Sequence, residues 1–390
     1  MEDNIMMKKV LSCLMVLTFG LLLTTTGWAV EPIKVGGIFD MSGGTADVGK
    51  DYAIGAIEAE KYINANGGVN GKPIKLIPND YAYQIPQATS LYKGYKDEGI
   101  FVIQGWGTGD TNALKELTNR DKIVYISASY DGGLTDPSKT PYNFFVGTDY
   151  NTSIALAMQF AKDQGGKKVV FIYPDHPYGK NPIPAGKEAA KKLGLEIGPD
   201  ENVPLNAKDA TSQLLSMKKY NPDWAWIGGT TASAAVIIKD AAKLGLPTKF
   251  VVNVWGVNEN TLKLAGDAAN DRVFGMAPFA TFGENVPGMA PLVEQHKKSH
   301  PGDTHIVPFV QGWTAMMVMW EGLKIADKKG QLNSAGLKAA LETIKDFDTK
   351  GLTAAPITFT PTDHRPNTKL YIYGVSGGKL VKVKEVETKR

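Results

Sequence analysis

The chain has 390 residues, 43% of them hydrophobic and 21% charged, with a formal net charge of +3. That length suggests two domains rather than one, each large enough to bury a sizeable core. The small, mixed charge lacks the basic stripe with interleaved aromatics that nucleic-acid binding requires, so nucleic acid is not an expected partner.

Lys8 and Lys9 precede an apolar run from Val10 to Leu23, and "TTTGWA" follows with small residues at Gly27 and Ala29. A basic start, a short apolar stretch and small residues predict a secretory signal peptide over residues 1–29, cleaved after Ala29. The run is short for a membrane span. Cys13 lies inside it, and the apolar stretch follows "VLSC" instead of preceding it, which argues against lipidation there. Cys13 is the single cysteine, so the expected mature chain is exported without disulfides and depends on its core for stability.

From residue 33 onward, short β-rich runs alternate with helical patterns. The runs are "IKVGGIFD" (33–40), "IKLIPND" (74–80), "FVIQG" (101–105), "IVYIS" (123–127), "NFFVG" (143–147), "KVVFIYPD" (168–175), "WAWIGG" (224–229), "KFVVNVW" (249–255) and "RVFGMAPF" (272–279). Apolar strands separated by helices predict parallel sheets covered on both faces. The rhythm restarts near Asn151, which gives an α/β chain of two doubly wound lobes. The end differs: "PITFT" (356–360), a turn at "PTDHRPN", "KLYIYGV" and "KLVKVKEV" read as antiparallel strands.

Ligands of open α/β sheets sit beyond the C-terminal strand ends. That rule selects loops 40–44, 80–83, 105–111 and 127–133 in the first half, and 174–179, 228–233 and 255–260 in the second. Loop 105–111, "GWGTGDT", has the layout of a phosphate loop but not its chemistry. A dinucleotide fingerprint needs glycine where Asp110 stands, and the Walker lysine is missing. Two readings remain. Thr108 and backbone N–H groups hold a carboxylate at a helix N-terminus, or the loop is a tight turn capped by Asp110 or Thr111.

Other chemistry is thinly supported. His296, His300 and His305 have a spacing that zinc sites use, but Pro301, Lys297 and Lys298 predict a solvated helix end instead. His176 has no base or nucleophile beside it, and His364 reads as a turn residue. No Gly-x-Ser-x-Gly elbow occurs. Asp40 and Asp80 end strands, where carboxylates cap backbone N–H groups more often than they act as an acid/base pair. No catalytic residue, metal or cofactor is therefore expected. The aromatic residues say more. Trp106, Tyr130, Tyr178 and Trp255 fall on the selected loops, with Tyr81, Tyr83 and Tyr150 close by, while Trp224 and Trp226 read as core. Aromatic walls with a few fixed polar groups describe a small-molecule pocket.

The opening "IKVGGIFDMSGGTADVGKDYAIGAIEAEKYINANGGVNGKPIKLIPND", with "YPDHPYGK" and "KLAGDAANDRVFG" further on, resembles the type I periplasmic solute-binding proteins of ABC importers, branched-chain amino acid subgroup. The resemblance covers essentially the whole chain after the signal peptide. It implies two lobes joined by three crossovers, near 147–151, 276–282 and 354–360, which close on ligand. The first lobe is then 30–148 plus 279–356, and the second 149–278 plus 357–390. It further implies a non-enzymatic, monomeric periplasmic protein that delivers a small carboxylate to a membrane-embedded ABC permease. The family's ligand positions fall on Thr108, Ser129 and Tyr130 in the first lobe and on Tyr178, Thr230 and Thr231 in the second. One departure concerns the ligand. Amino-acid binders of the family carry an acid for the ligand ammonium where this chain has Trp255. An unpaired buried ammonium is costly, so the expected ligand is a carboxylate with an apolar or aromatic body, benzoate-like acids among them. The alternatives are a hydrophobic amino acid, with Asp131 or Glu259 as ammonium partner, and an exported α/β enzyme acting on a similar acid.

Overall fold

The computed structural model describes residues 31–389; the expected signal peptide and Cys13 lie outside them. The first lobe begins with β1 (Ile33–Phe39), α1 (Ala46–Ala65), β2 (Ile74–Asp80), α2 (Ile85–Asp97), β3 (Val102–Gly105), α3 (Thr108–Asp121), β4 (Val124–Ser127) and β5 (Asn143–Phe144). Its five strands are all parallel, in the order β2-β1-β3-β4-β5. β3 and β4 are buried along their whole length, which is why they read as apolar runs without alternation. On α1, Val48, Tyr52, Ala56, Ala59 and Ile63 recur every three or four residues and form one buried stripe.

The second lobe follows with α4 (Tyr150–Asp163), β6 (Lys168–Tyr173), α5 (Pro177–Lys180), α6 (Ile183–Lys192), β7 (Glu196–Ile197), β8 (Glu201–Asn202), α7 (Thr211–Tyr220), β9 (Trp224–Ile227), α8 (Thr231–Lys243), β10 (Lys249–Val252), α9 (Glu259–Ala265) and β11 (Val273–Ala277). The chain then returns to the first lobe for α10 (Met289–Ser299), α11 (Val307–Lys328) and α12 (Ser334–Leu341). It ends in the second sheet with β12 (Lys369–Ser376) and β13 (Lys379–Glu387), both antiparallel. That sheet runs β13-β12-β11-β10-β9-β6-β7, with β8 also on β6. Trp224 and Trp226 are buried in its core, as read.

The strand orders fix where a ligand can sit. In the first sheet the winding reverses between β1 and β3, and in the second between β6 and β9. The loops after these four strands flank the two switch points.

Two expectations about the C-terminal part need correction. "PITFT" is not a strand: Ile357 makes only an isolated bridge to Phe347, and Thr360 one to Asp363. The last passage also lies beyond 354–360. Ile357 and Phe359 are still in the first lobe's core, and His364 stacks on Phe144 at 4.1 Å, so the chain crosses between His364 and Lys369. Apolar side chains at 357 and 359 keep this segment on the first lobe. His364, read as a turn residue, is buried and hydrogen-bonded to Asn143 O and Glu342.

Candidate ligand-binding site

Three helices of 20, 14 and 13 residues point their N-termini at one cavity between the lobes. Their N-cap residues are Thr45 for α1, Gly107 for α3 and Thr230 for α8, and none of the three makes a side-chain cap bond to its own helix. First-turn N–H groups have no partner within their helix, and the helix dipoles add partial positive charge there. Thr45 and Gly107 follow the strands at the first switch point, and Thr230 follows one at the second. The strand-end geometry thus delivers all three.

The side chains around this point are fixed by their own bonds. Asp40 accepts from Thr45 Oγ1 at 2.6 Å, and Thr45 Oγ1 accepts from Trp106 Nε1 at 2.8 Å, which pins the indole. Ser129 Oγ donates to Thr108 Oγ1 at 2.9 Å. Trp255 Nε1 donates to the Tyr150 hydroxyl at 2.7 Å. The Tyr178 hydroxyl accepts from Asn253 Nδ2 at 2.6 Å and donates to Gly229 O at 3.1 Å. Thr230 Oγ1 is buried and has no hydrogen-bond partner.

Of the eight expected ligand residues, Trp106, Thr108, Tyr178, Thr230 and Trp255 line the cavity. Ser129, Tyr130 and Thr231 do not; they stand behind it. Ser129 holds Thr108. Tyr130 turns inward against Trp255 at 5.4 Å and Phe279 at 6.1 Å. Thr231 accepts from Asn258 Nδ2 at 2.6 Å, because the residue after an N-cap already faces its own helix. Sequence reading missed Thr45, Val48 and Ala128 as lining residues and treated Tyr83 and Tyr150 only as neighbours. Thr45 lies one residue beyond the strand-end loop 40–44.

Among the described residues no charged side chain lines the cavity. Burial pushes the hydroxyl pKa of Tyr83, Tyr150 and Tyr178 up, so each keeps its proton and remains neutral. The two acids expected as ammonium partners are committed elsewhere. Asp131 accepts from Gly133 N, Asn112 Nδ2 and Asn181 Nδ2, and Glu259 from Val307 N at 3.3 Å. Asp40 binds the backbone N–H groups of Gly43 and Thr45, and Asp80 those of Met41 and Ala82, in the loops after β1 and β2, so they brace turns and form no acid/base pair.

The free space is narrow. The centre of a water-sized sphere can occupy only about 20 Å³, room for about one water. Trp106 and Trp255 meet edge to face at 4.9 Å and fill the rest. A solute of several carbons enters only if the lobes part or an indole turns. A roomier cavity of about 210 Å³ beside Trp313 and Trp320 belongs to the first lobe alone and includes none of the strand-end loops.

The histidine cluster also differs from expectation. His296 is buried, 4.4 Å from His305 and 5.4 Å from His300, and His305 pairs with Asp51 at 2.5 Å. Phe282 and Phe309 pack around it and draw His296 into the core despite the lysines beside it. Among the described residues no group of side chains is arranged to hold a metal.

Residues 32–379 match the family model described as "Periplasmic binding protein". The Leu/Ile/Val-binding protein of Citrobacter freundii is 23% identical over 335 residues, which cover 82% of this chain and 88% of that protein. Among solved structures, an ABC transporter substrate-binding protein of Aeropyrum pernix is 33% identical and superposes with a TM-score of 0.85 over 91% of this chain and 96% of that one. A fatty acid ABC transporter substrate-binding protein of Thermomonospora curvata gives a TM-score of 0.82 at 23% identity, covering 92% and 93%. With its two parallel-rich sheets and a cavity at both switch points, the chain belongs to the periplasmic binding protein family, the non-enzymatic solute-binding components of ABC importers.

Proposed function

We propose that the protein captures a small monocarboxylate with an apolar body in the periplasm and delivers it to a membrane-embedded ABC permease. One observation carries this reading: three helix N-termini converge on a cavity that has no charged side chain and is walled by Trp106, Trp255, Tyr83, Tyr150 and Tyr178. The N-termini favour an anion, and the rings favour hydrocarbon. Thr108 and Thr230 supply hydroxyls from opposite lobes, so binding and lobe closure reinforce each other.

Within that class, a branched-chain amino acid is the reading to test first, because relatives named for leucine, isoleucine and valine match most of the chain. A second reading has its own support. Trp255 stands where an acid would be expected to meet an ammonium, and no acid lines the cavity, which favours an aromatic or aliphatic acid without an amino group. The fatty-acid relative is consistent with such a ligand.

Mass spectrometry of the small molecules released on denaturing the purified protein, followed by calorimetry with the compound found, tests the reading. A hydrophobic monocarboxylate, with or without an amino group, is the expected result. A sugar, a polyamine or a dicarboxylate bound tightly would overturn it.

A further inference from the structure

We infer that Tyr150 limits the size of solute the site accepts, as the positioning residue that latches the Trp255 indole across the cavity; this rests on the hydrophobic monocarboxylate reading above. Both indoles that fill the cavity are tied by their N–H groups, but not equally. Trp106 Nε1 donates to Thr45 Oγ1 at 2.8 Å, and that hydroxyl is backed by the buried Asp40 carboxylate at 2.6 Å. Trp255 Nε1 rests on one hydroxyl, that of Tyr150, at 2.7 Å. The hydroxyl itself is firmly placed. Tyr150 opens α4, the first element of the second lobe. Its backbone N–H donates to Tyr130 O at 2.7 Å, and its ring lies edge to face on Tyr178 and tilted against Tyr130, each at 5.8 Å.

This latch bears on what fits. With both indoles held, the centre of a water-sized sphere has only about 20 Å³. A ligand that touches Thr108 and Thr230 at once needs the two lobes together. Room for a larger body must then come from a ring, not from parting the lobes. Trp255 is the ring to move, because it gives up one neutral bond while Trp106 is tied to a carboxylate-backed hydroxyl. Around it stand Trp106 at 4.9 Å, Tyr130 at 5.4 Å and Tyr52 at 6.3 Å, an apolar bed in which hydrocarbon can replace the indole. An indole N–H drawn off its partner in a buried site is a lost hydrogen bond. The further a body pushes the ring, the more of the Tyr150 bond is forfeited, so the penalty grows with solute size.

The plain alternative is that the Tyr150 hydroxyl meets the ligand itself. Two graded series separate the roles by calorimetry: propanoate, hexanoate and octanoate, and alanine, leucine and phenylalanine. Whichever series the wild type binds is carried through Tyr150→Phe, Trp255→Phe and the double variant. Tyr150→Phe is expected to raise the affinity of the largest member relative to the smallest by about three- to tenfold, the worth of one neutral hydrogen bond. Added to Trp255→Phe, which has no N–H to hold, it should leave that ratio within about twofold. An unchanged ratio, uniform weakening of the series, or the same shift in both backgrounds overturns the latch and leaves the monocarboxylate reading intact. A wild type that binds neither series overturns both. If Tyr150→Phe melts early, NMR of the wild type serves instead, with the Trp255 Nε1–H resonance assigned through Trp255→Phe. The largest member at saturation should move that resonance away from its hydrogen-bonded position further than the smallest does. Equal positions with both overturn the latch.

Discussion

Asp110 shows how one buried side chain shapes the chemistry of the α3 N-terminus. It is enclosed beneath the Gly107 turn, where the Tyr81 hydroxyl donates to it at 2.6 Å. Burial lifts its pKa from 3.8 to about 7, against the pull of the Tyr81 and Tyr125 hydroxyls. The folded value lies above the unfolded one, so its contribution to stability is fully present below pH 4 and is lost as the pH rises through 7. Asp110→Asn should match the wild type in thermal unfolding near pH 3.5 and become the more stable protein above pH 8, by about 2–4 kcal/mol. Parallel stability curves across that range would rule the idea out. An acid still largely protonated at pH 6 also leaves the α3 N-terminus free to attract a ligand carboxylate. From sequence, Asp110 was legible only as a break in a glycine motif. Trp106, Thr108, Tyr178, Thr230 and Trp255 were legible because each follows a strand directly, where position along the chain fixes position at the cleft. Ser129, Tyr130 and Thr231 were one step off because the side chain's direction there depends on turns the pattern does not encode. The bond of Asp47 to Ala232 across the lobes was invisible in the sequence, since the two residues are 185 positions apart.

At the scale of elements, the crossing of α1 and α11 explains two glycines that helix propensity opposes. Glycine inside a helix costs about 1 kcal/mol against alanine, yet Gly55 and Gly312 both lie in helix interiors. A Cβ on Gly55 would run into the Phe309 carbonyl, and one on Gly312 into the Tyr52 carbonyl. The missing side chains let the two backbones touch and seat α11, buried on nearly every side, against α1. Because α1 carries Thr45 and Asp47, this crossing also sets the cleft. Gly312→Ala should destabilise the protein by about 1–3 kcal/mol, the usual cost of overpacking, measured by urea denaturation. Unchanged stability would mean the helices slide apart freely. Strands were the most legible elements: nine β-rich runs became nine strands, most clearly β3, β4 and β9, whose burial on both faces gives continuous hydrophobic sequence. β7 and β8, two residues each, leave no such trace. "PITFT" carries a strand-like trace without a neighbouring strand to pair along its length.

For the whole molecule, the two-lobe plan was readable through family resemblance, while the contacts that close the lobes were not, because they join residues far apart in sequence. Besides Asp47 with Ala232, Asn181 Nδ2 donates to Asp131 Oδ2 at 2.6 Å and Val307 N to Glu259 Oε2 at 3.3 Å. Two passages between the lobes brace each other, Thr148 Oγ1 donating to Lys369 O at 2.6 Å, and the third is tied to the first lobe by Ala280 N donating to Leu352 O at 3.0 Å. The lobe closure proposed above would bend these three passages while each lobe moves as a body. A ligand that touches both lobes stabilises the closed form only by the difference in its affinity for closed and open states. A bond at the rim that never meets the ligand shifts the same balance. Asn181→Ala removes such a bond, about 0.5–1.5 kcal/mol net, from a residue outside the cavity lining. The expected outcome is ligand release about two to ten times faster by stopped flow, with the ranking of ligands unchanged and a larger radius of gyration in X-ray scattering at sub-saturating ligand. Release at the wild-type rate would show that the rim contact does not hold the cleft shut. A changed ligand ranking would place Asn181 in the recognition site instead.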